Sequence, residues 1–344
     1  MEKEIFTFEK IEYLYKNVSL EELSKESNFI TEKIFSNKIW IRAIIEFSNY
    51  CENNCLYCGI RASNKKIKRY SLDDELILKT AKQAIDYGVK TIVLQSGESS
   101  FYSSATRICR LVEKIKKLDS EVAVTLSCGY FTKKELIDIR NSGADRYLLR
   151  FETADEDLYS FLKNGEPLSK RIEMLHNLRD IGFEVGSGFM VGLPNETDEV
   201  AVKNLLLCKE LNLDMVGIGP FIPHPDTPLA EAKLAPFEKT LRAVAILRIM
   251  LPYSNIPATT AMGTVDPFGR EKALQAGANV LMPIITPTEV RKYYLLYPNK
   301  ICIYENGFEC FKCLENRVKK IGKTLKFERG DSLNKKCNLQ LQKV

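Results

Sequence analysis

The sequence predicts an α/β fold, a complete (βα)8 TIM barrel with an N-terminal helical extension and a short C-terminal extension. Between residue 39 and about residue 295, apolar strand-like runs alternate with segments of helical periodicity, the pattern of a parallel sheet built from βα units. Eight such strands occur, the number that closes a barrel, within roughly the 250 residues that such barrels occupy. We therefore expect three parts: an extension over 1–38, the barrel over 39–295, and a C-terminal extension over 296–344.

The predicted elements follow one another without a linker, repeat or low-complexity tract. The strands are expected at 39–48, 91–97, 123–129, 146–152, 184–192, 215–222, 257–263 and 279–283. The helices between them are expected near 71–87, 104–118, 132–142, 168–181, 197–211, 236–251 and 266–276. Residues 3–36 favour two or three short amphipathic helices, one of them begun by the capping-box pair Ser19 and Glu22. Residues 327–344 are polar and without periodicity, which predicts a frayed end.

Composition limits the function classes. The 344 residues are 45% hydrophobic and 28% charged, as in an ordinary globular protein, and the net charge of +5 is spread over both signs, which does not favour nucleic acid. No apolar run approaches the ~20 residues of a membrane span, and residues 1–10 lack the apolar core of a signal peptide. We therefore expect a cytoplasmic protein, in which ten cysteines indicate metal ligation rather than disulfides.

Three closely spaced cysteines directly follow the first strand. Cys51, Cys55 and Cys58 have the spacing CxxxCxxC. A four-iron cluster normally takes four thiolates, so three of them suggest a cluster with one iron open to a further ligand. The alternative is a zinc site or scattered core thiols, although zinc sites more often use paired CxxC units. The spacing predicts an iron–sulfur cluster with a role in chemistry.

Polar residues also follow several later strands. Glu98 comes after the second strand, Arg150 and Glu152 end the fourth, and the glycine-bounded segment 188–192 ends the fifth. The carboxyl ends of barrel strands meet at one mouth, where the active sites of such barrels lie. We expect these residues to surround the cysteines there, although any single charge could simply be a solvated rim residue.

These features resemble the radical S-adenosylmethionine (SAM) superfamily, whose signature is this cysteine spacing with an aromatic residue, here Tyr57, before the last cysteine. A more specific resemblance is to the radical SAM maturase of [FeFe]-hydrogenase, the HydE type. It rests on the segments 41–49, 91–98, 143–150, 214–229 and 255–264, and it extends over about residues 40–315. The resemblance implies a (βα)8 barrel, a SAM-binding [4Fe-4S] cluster and a closed internal cavity.

The resemblance also implies residue roles. By its chemistry, Glu98 is the expected partner of the SAM ammonium group, and either Arg150 or Arg171 could bind the carboxylate, to whose geometry a guanidinium is matched. The resemblance assigns the carboxylate to Arg171. Glu152 is expected to accept hydrogen bonds from the ribose. Tyr57 and the backbone around Met190 are expected to contact the adenine.

Arg150, Thr259 and Thr260 would instead face the substrate, because hydroxyls and a guanidinium inside a barrel are costly unless they bind something. Met215 and Met282 are expected in the cavity walls. Since Thr259 and Thr260 are neighbours on a predicted strand, their side chains should point to opposite faces unless the strand is irregular there. The chain departs from the family pattern at Phe151 and over 127–130, which leaves the substrate open.

A second cysteine group lies beyond the barrel. Cys302, Cys310 and Cys313 resemble the second iron–sulfur cluster site found in part of this family, although three thiolates also suit zinc. We expect a surface metal site outside the cavity.

The implied reaction is reductive cleavage of SAM to a 5′-deoxyadenosyl radical, which acts on a small iron complex with carbonyl, cyanide and cysteine ligands during H-cluster assembly. Implied partners are a GTP-binding scaffold protein, a tyrosine lyase of the radical SAM type, and an electron donor such as ferredoxin or flavodoxin. A methylornithine synthase or a biotin synthase remains an alternative. Biotin synthases bind a second iron–sulfur cluster through strand cysteines, and only Cys128 lies on a predicted strand inside the barrel, which disfavours a biotin synthase but not a methylornithine synthase. The alternative from another class is a non-catalytic metal-binding scaffold.

Overall fold

The computed structural model describes residues 6–305 and 307–334, and its centre is a sheet of six parallel strands. The strands in chain order are β1 (Lys38–Ile41), β2 (Ala43–Ser48), β3 (Thr91–Ser96), β4 (Ala123–Ser127), β5 (Arg146–Leu148), β6 (Glu184–Ser187), β7 (Met190–Val191), β8 (Met215–Val216), β9 (Gly219–Pro220), β10 (Val280–Leu281) and β11 (Thr324–Lys326). The central sheet has the order β2-β3-β4-β5-β6-β8.

Three parallel bridges close this sheet into a ring. Asn255 pairs with β8, Pro257 pairs with β10, and Ile284, just beyond β10, pairs with β2. At the closing seam the Ile285 N–H donates to the carbonyl oxygen of Ile44 at 2.8 Å. The predicted (βα)8 barrel is confirmed, with a seventh strand that consists only of two short bridges.

Most of the helices lie between successive barrel strands, and two precede the first strand. They are α1 (Phe8–Lys16), α2 (Leu20–Phe35), α3 (Asp74–Asp86), α4 (Ala105–Leu118), α5 (Lys133–Asn141), α6 (Glu156–Leu162), α7 (Leu168–Ile181), α8 (Asp198–Glu210), α9 (Phe237–Met250), α10 (Thr260–Val265), α11 (Gly269–Gln275), α12 (Thr288–Arg291) and α13 (Gly307–Lys320). The side chains of Asp73, Thr132 and Thr197 cap α3, α5 and α8 by accepting a first-turn N–H. All seven predicted helices are present, with ends within three residues of the prediction.

The N-terminal helices pack against the outside of the barrel. The predicted capping box is present at the start of α2: the Ser19 hydroxyl accepts from the Glu22 N–H, and the Glu22 carboxylate accepts from the Ser19 N–H. Helix α1 contacts α8, and α2 contacts α9. Buried Ile11 and Leu23 supply apolar contacts on these helices. The boundaries at residues 38 and 295 stay a prediction.

Several predicted strands are shorter than expected. The run 39–48 divides at Arg42, so that β1 pairs with β10 and β11 while β2 enters the barrel. The run 184–192 divides at Gly188, whose φ is +149° and where a Cβ would lie 2.2 Å from the Gly217 carbonyl oxygen. The prediction of a strand over 257–263 is wrong from residue 260 onward, because α10 begins there after an extended Thr259.

The C-terminal segment closes the amino-terminal end of the barrel. Arg42 and Asn255 both donate to the carbonyl oxygen of Gly330, each at 3.0 Å, and the Ser332 N–H donates to Glu184 at 3.1 Å. The expectation of a frayed end is therefore wrong for residues 327–334, and residues 335–344 lie outside the described residues. Buried backbone and side-chain hydrogen bonds hold this polar segment, although it has no periodic pattern.

In the part of the chain that the structure describes, no helix combines the length and apolar character needed to cross a membrane.

Candidate active site at the carboxyl end of the barrel

A cavity of about 320 Å³ opens at the carboxyl ends of the barrel strands. Its wall contains the first cysteine group together with every residue predicted to bind SAM or substrate. These lining residues are Cys51, Cys55, Cys58, Tyr57, Glu98, Arg150, Glu152, Arg171, Met190, Thr259 and Thr260, and the predicted wall residues Met215 and Met282 are among them as well. Residues from many strand ends thus meet in one place, as expected for a barrel active site.

The cysteine loop after β2 is irregular, but backbone hydrogen bonds fix it on both sides. Glu52 donates to the carbonyl oxygen of Glu98 at 2.8 Å, and Gly59 donates to that of Leu296 at 3.0 Å. The loop also passes very close to its neighbours. A Cβ on Gly97 would lie 2.3 Å from the Tyr50 carbonyl oxygen, so only glycine fits beside the loop.

The three thiols of this loop are suited to a cluster rather than to one metal ion. Burial raises the pKa of Cys58, and negative charge on Cys55 and Cys51 would raise it further. Among residues 6–305 and 307–334, no three cysteine, histidine or acidic side chains converge on a single metal ion. In a [4Fe-4S] cluster each thiolate binds its own iron, so the sulfurs need not converge. The donor set therefore fits the cluster that the resemblance implies.

Lys163 is a residue of this site that the sequence did not point out. Its Nζ lies 3.5 Å from the Cys55 Sγ and 5.7 Å from the centroid of the Tyr57 ring. It is the C-cap residue that follows α6, a helix that was not predicted, and a lysine in that position carries no pattern by which it could be found.

Arg171 is almost fully buried on α7, and a set of aromatic and acidic groups holds its guanidinium. Its Nε donates to the Tyr159 hydroxyl at 3.1 Å, and its centre lies 4.3 Å from the Tyr130 ring. Glu98 and Glu166 approach its two terminal nitrogens at 3.8 and 3.7 Å. The Nη2 nitrogen has no hydrogen-bond partner among the described residues. A positioned guanidinium with a free donor is suited to a carboxylate.

Arg150 and Glu152 form an ion pair across the end of β5. The Arg150 Nη2 lies 2.8 Å from the Glu152 Oε2, yet neither atom has hydrogen-bond geometry with any described group. Glu152 also has a φ of +65°, an uncommon conformation for a non-glycine residue. Such strain often occurs at ligand sites, where the surrounding structure maintains it.

Thr259 and Thr260 reach the cavity in a different way from the one predicted. They do not lie on a strand: Thr259 stands at the N-cap of α10 and Thr260 is its first residue. This turn lets both side chains line the cavity, which the opposite faces of a strand would have prevented. The Thr259 hydroxyl forms no capping hydrogen bond and has no partner among the described residues.

The cavity wall contains a second ion pair, which is buried and which the sequence analysis did not predict. Glu46 on β2 is 3% exposed and Lys300 is 8% exposed, and the Lys300 Nζ bonds the Glu46 Oε1. Burial raises the pKa of Glu46, while the charges of Lys300 and Arg291 oppose that rise. A glutamate within the apolar run 39–48 was the available signal, but its partner is 254 residues away.

The second cysteine group lies outside the cavity. Cys310 and Cys313 are on α13, and Cys302 precedes it with a φ of +62°. A hydrogen bond from Cys310 lowers the pKa of the Cys302 thiol. None of the three lines the cavity, in agreement with the expected location. An iron–sulfur cluster at Cys302, Cys310 and Cys313 stays a prediction.

Comparison with known proteins gives the family. The radical SAM superfamily model matches residues 45–208, and the biotin and thiamin synthesis associated domain matches residues 218–293. The [FeFe] hydrogenase maturase subunit HydE of Thermotoga maritima is 49% identical over 303 residues, which cover 88% of this chain and 86% of that protein. A 3-methylornithine synthase of Methanosarcina acetivorans is 30% identical over 77% of this chain and 75% of its own length.

Solved structures agree on the fold. A crystal structure of methylornithine synthase superimposes with a TM-score of 0.83 at 26% identity, covering 94% of this chain and 95% of that one. A structure of HydG, a maturase of the [FeFe]-hydrogenase, superimposes with a TM-score of 0.77 at 20% identity over 94% of this chain and 73% of that one, which supports the fold alone. With its cysteine loop, its barrel and its high identity over most of both lengths, the chain belongs to the radical SAM superfamily and, within it, to the family of the [FeFe]-hydrogenase maturase subunit HydE.

Proposed function

We propose that this chain is a radical SAM enzyme of hydrogenase maturation that acts on a small iron complex with carbonyl, cyanide and cysteine ligands. The observation that carries the proposal is that one cavity of about 320 Å³ joins the cluster-type cysteines to polar atoms that have no hydrogen-bond partner among the described residues. Charged and polar groups buried without partners are costly, so their presence favours a ligand. A non-catalytic scaffold would have no need for such a cavity.

The radical SAM family uses a [4Fe-4S] cluster and SAM, which together supply the 5′-deoxyadenosyl radical. In this chain Cys51, Cys55 and Cys58 would hold the cluster. On the SAM side, Arg171 would bind the carboxylate and Glu98 the ammonium group. Glu152 would accept the ribose hydroxyls, and Tyr57 and Met190 would contact the adenine.

The substrate side of the cavity would be formed by Arg150, Thr259 and Thr260. Their guanidinium and hydroxyl groups would orient the substrate, and the apolar barrel interior would keep water from the radical. The partners would be the GTP-binding scaffold protein, the tyrosine-lyase maturase and a ferredoxin or flavodoxin, in the cytoplasm. The family membership supports this assignment.

A methylornithine synthase activity is the second candidate. The two ion pairs in the cavity wall, Arg150 with Glu152 and Lys300 with Glu46, would suit a charged amino-acid substrate as well as an iron complex. The 30% identical relative and the structural neighbour with a TM-score of 0.83 both carry that name.

The experiment is anaerobic reconstitution followed by two assays. Formation of 5′-deoxyadenosine after reduction tests for a radical SAM enzyme, and activation of apo-hydrogenase in a defined maturation mixture tests for the maturase. We expect both in the wild type, and normal SAM cleavage with weak activation for Arg150→Lys, which keeps the charge but loses the planar guanidinium.

Production of 3-methylornithine from lysine without hydrogenase activation would contradict the maturase proposal and support the second candidate. Absence of 5′-deoxyadenosine from a fully reconstituted protein would contradict both.

A further inference from the structure

A group of exposed lysines lies beside the cysteine loop. The segment 61–69, which follows the loop, reads RASNKKIKR, with five basic residues and no acidic one. Lys65, Lys66 and Lys68 are exposed, and so is Lys292 after α12. Lys66 is bonded to an aspartate at 2.6 Å, whereas the other three form no ion pair with any described residue. A run of charge is often only a solvated surface, but three further features of this one indicate a binding surface.

The first feature is that the segment is held in one conformation although it has no regular secondary structure. The Nη1 of Arg69 donates to the carbonyl oxygens of Asn49 and Ile60 at 2.6 and 2.7 Å. The Nη2 of the same side chain donates to those of Arg61 and Asn64 at 2.6 and 3.2 Å. The backbone that carries the lysines is therefore preorganised, which lowers the entropy cost of binding a partner.

The second feature is that lysines from two distant parts of the chain converge on one aromatic ring. The Nζ atoms of Lys68 and Lys292 lie 5.5 and 5.3 Å from the centroid of the Tyr293 ring. The Asn49 side chain joins the two segments, since its Nδ2 donates to the carbonyl oxygens of Lys68 and Tyr293 at 2.9 and 2.7 Å. Two like charges at one ring repel each other, so an acidic group of a partner is favoured beside them.

The third feature is an exposed aromatic group next to these lysines. Tyr50, which follows Asn49 in the chain, stacks on Tyr102 with ring centroids 3.9 Å apart. Phe101 packs edge-on against Tyr102 at 4.9 Å and is 76% exposed. An apolar centre with a polar rim is the usual anatomy of a protein–protein interface. The cysteine-loop surface, as we call it, consists of Phe101, Tyr102, Tyr50, Lys68 and Lys292.

The cysteine-loop surface is joined to the cluster ligands by short paths. Tyr50 directly precedes Cys51, and the Arg61 N–H donates to the carbonyl oxygen of Cys58 at 3.1 Å. No residue of this surface lines the cavity, so a partner bound there leaves the SAM and substrate sites free. Reductive cleavage of SAM consumes one electron, which has to reach the cluster from outside the cavity.

We propose that the cysteine-loop surface binds an acidic one-electron carrier protein. Carboxylates of the carrier face Lys68 and Lys292, and an apolar group beside its redox centre covers Phe101. The carrier is oxidised by one electron and the cluster is reduced by one, and no bond forms or breaks. Electron-transfer encounters of this kind are small and transient, so a few charges govern the association rate. The inference rests on the proposed function, because SAM cleavage is what consumes the electron.

The first test reverses the charge of two lysines in the variant Lys68→Glu, Lys292→Glu. The reconstituted protein is mixed anaerobically with an acidic bacterial flavodoxin in its hydroquinone form, and formation of the flavodoxin semiquinone is followed by stopped-flow absorbance. Binding of oxidised flavodoxin is measured by calorimetry. We expect the second-order rate constant and the affinity each to fall about tenfold or more, with cluster reduction by dithionite unchanged.

The matched control is Lys117→Glu, Lys320→Glu, which makes the same change of net charge on exposed lysines of α4 and α13. It should behave as the wild type does. A folded Lys68→Glu, Lys292→Glu protein that binds flavodoxin and accepts its electron at wild-type rates would overturn the proposal. So would an equal loss in the control variant.

The second test concerns the apolar centre. Phe101→Ser should weaken flavodoxin binding several-fold, because it removes an exposed ring that the carrier covers. Phe268→Ser is its control, since Phe268 is 66% exposed elsewhere. Equal effects of the two replacements would exclude Phe101 from the interface and overturn the proposal in this form.

The third test needs no variant, so it decides even if a replaced protein does not fold. In the wild type, the rate with flavodoxin should fall as the ionic strength rises, because salt screens the attraction between exposed charges. A rate that is independent of salt would overturn the proposal. So would a wild-type protein that binds a mixed-sequence RNA oligonucleotide through these lysines and does not bind flavodoxin.

These measurements need neither hydrogenase nor the substrate. Lysine-dependent reduction by flavodoxin in a protein that fails to activate hydrogenase would support the docking surface and contradict the proposed function. Activation of hydrogenase with dithionite as the reductant, without binding of flavodoxin, would do the reverse.

Discussion

Arg146 and Arg150 stand four residues apart at β5, one at each end of the barrel, and their surroundings are opposite. At the amino-terminal end, Arg146 donates to Glu184 at 2.7 Å and to Thr91 at 3.1 Å, and its remaining nitrogen bonds the C-terminal segment. At the carboxyl end, two nitrogens of Arg150 form no hydrogen bond with any residue that the structure describes. Arginines of one strand thus serve different purposes: a fully bonded guanidinium stabilises the fold, whereas an incompletely bonded one is available to a ligand.

The largest expected effect is a loss of activity at the carboxyl end of the barrel without a loss of the fold. Cys55→Ala should abolish SAM cleavage, because two thiolates cannot hold the cluster, while the barrel closed at its other end should stay folded. Iron content measures the cluster, 5′-deoxyadenosine after dithionite reduction measures SAM cleavage, and circular dichroism measures the fold. Cys109→Ala, on the outer helix α4, is the control. Wild-type SAM cleavage by Cys55→Ala would refute the assignment of the cluster site.

The second largest effect is expected on the free energy of unfolding, when Arg146 at the amino-terminal end of the barrel is replaced. Arg146→Met leaves the buried carboxylate of Glu184 without its cation, and breaking a buried pair in this way costs about 3–5 kcal/mol of unfolding free energy. Arg150→Met should cost much less, since Arg150 is more exposed and has fewer bonds to lose. Urea unfolding of both variants measures the difference. Equal destabilisation would show that the two ends do not differ in the way proposed.

A smaller effect should separate stability from activity. Thr259→Val removes a buried hydroxyl that has no partner within residues 6–305 and 307–334, so the folded protein should lose no stability. If that hydroxyl binds the substrate, its loss should cost roughly 0.5–1.5 kcal/mol, a several-fold decrease in maturation rate with SAM cleavage unchanged. Thr260→Val is the neighbouring comparison. Wild-type maturation rates for both variants would exclude these hydroxyls from substrate binding.

The smallest effect is expected at the second cysteine group. The Cys310→Ala, Cys313→Ala double variant should keep the barrel cluster and SAM cleavage, because neither side chain lines the cavity. Iron quantification and 5′-deoxyadenosine formation measure this. Loss of SAM cleavage in a folded double variant would mean that α13 takes part in the chemistry of the barrel.

Local patterns predicted most of the barrel and of the site. The alternation of strands and helices gave the fold, and the rule that barrel chemistry lies at strand ends placed Glu98, Arg150 and Glu152 beside the cysteines. Other features depend on partners distant in sequence. The pairing of Glu46 with Lys300 needs the closed barrel, and α10 replaces a strand because the chain turns at Thr259 into the cavity.

The residues that close the amino-terminal end are separated from their partners by most of the chain: Arg42 and Gly330 are 288 positions apart. We expect contacts of such long range to form late in folding, because bringing the two segments together costs conformational entropy before the contacts contribute any stability. During synthesis every barrel strand leaves the ribosome before residues 328–334 do. We therefore expect the nascent barrel to remain open at its base until translation of this segment is complete, with the buried arginines Arg42 and Arg146 still in water.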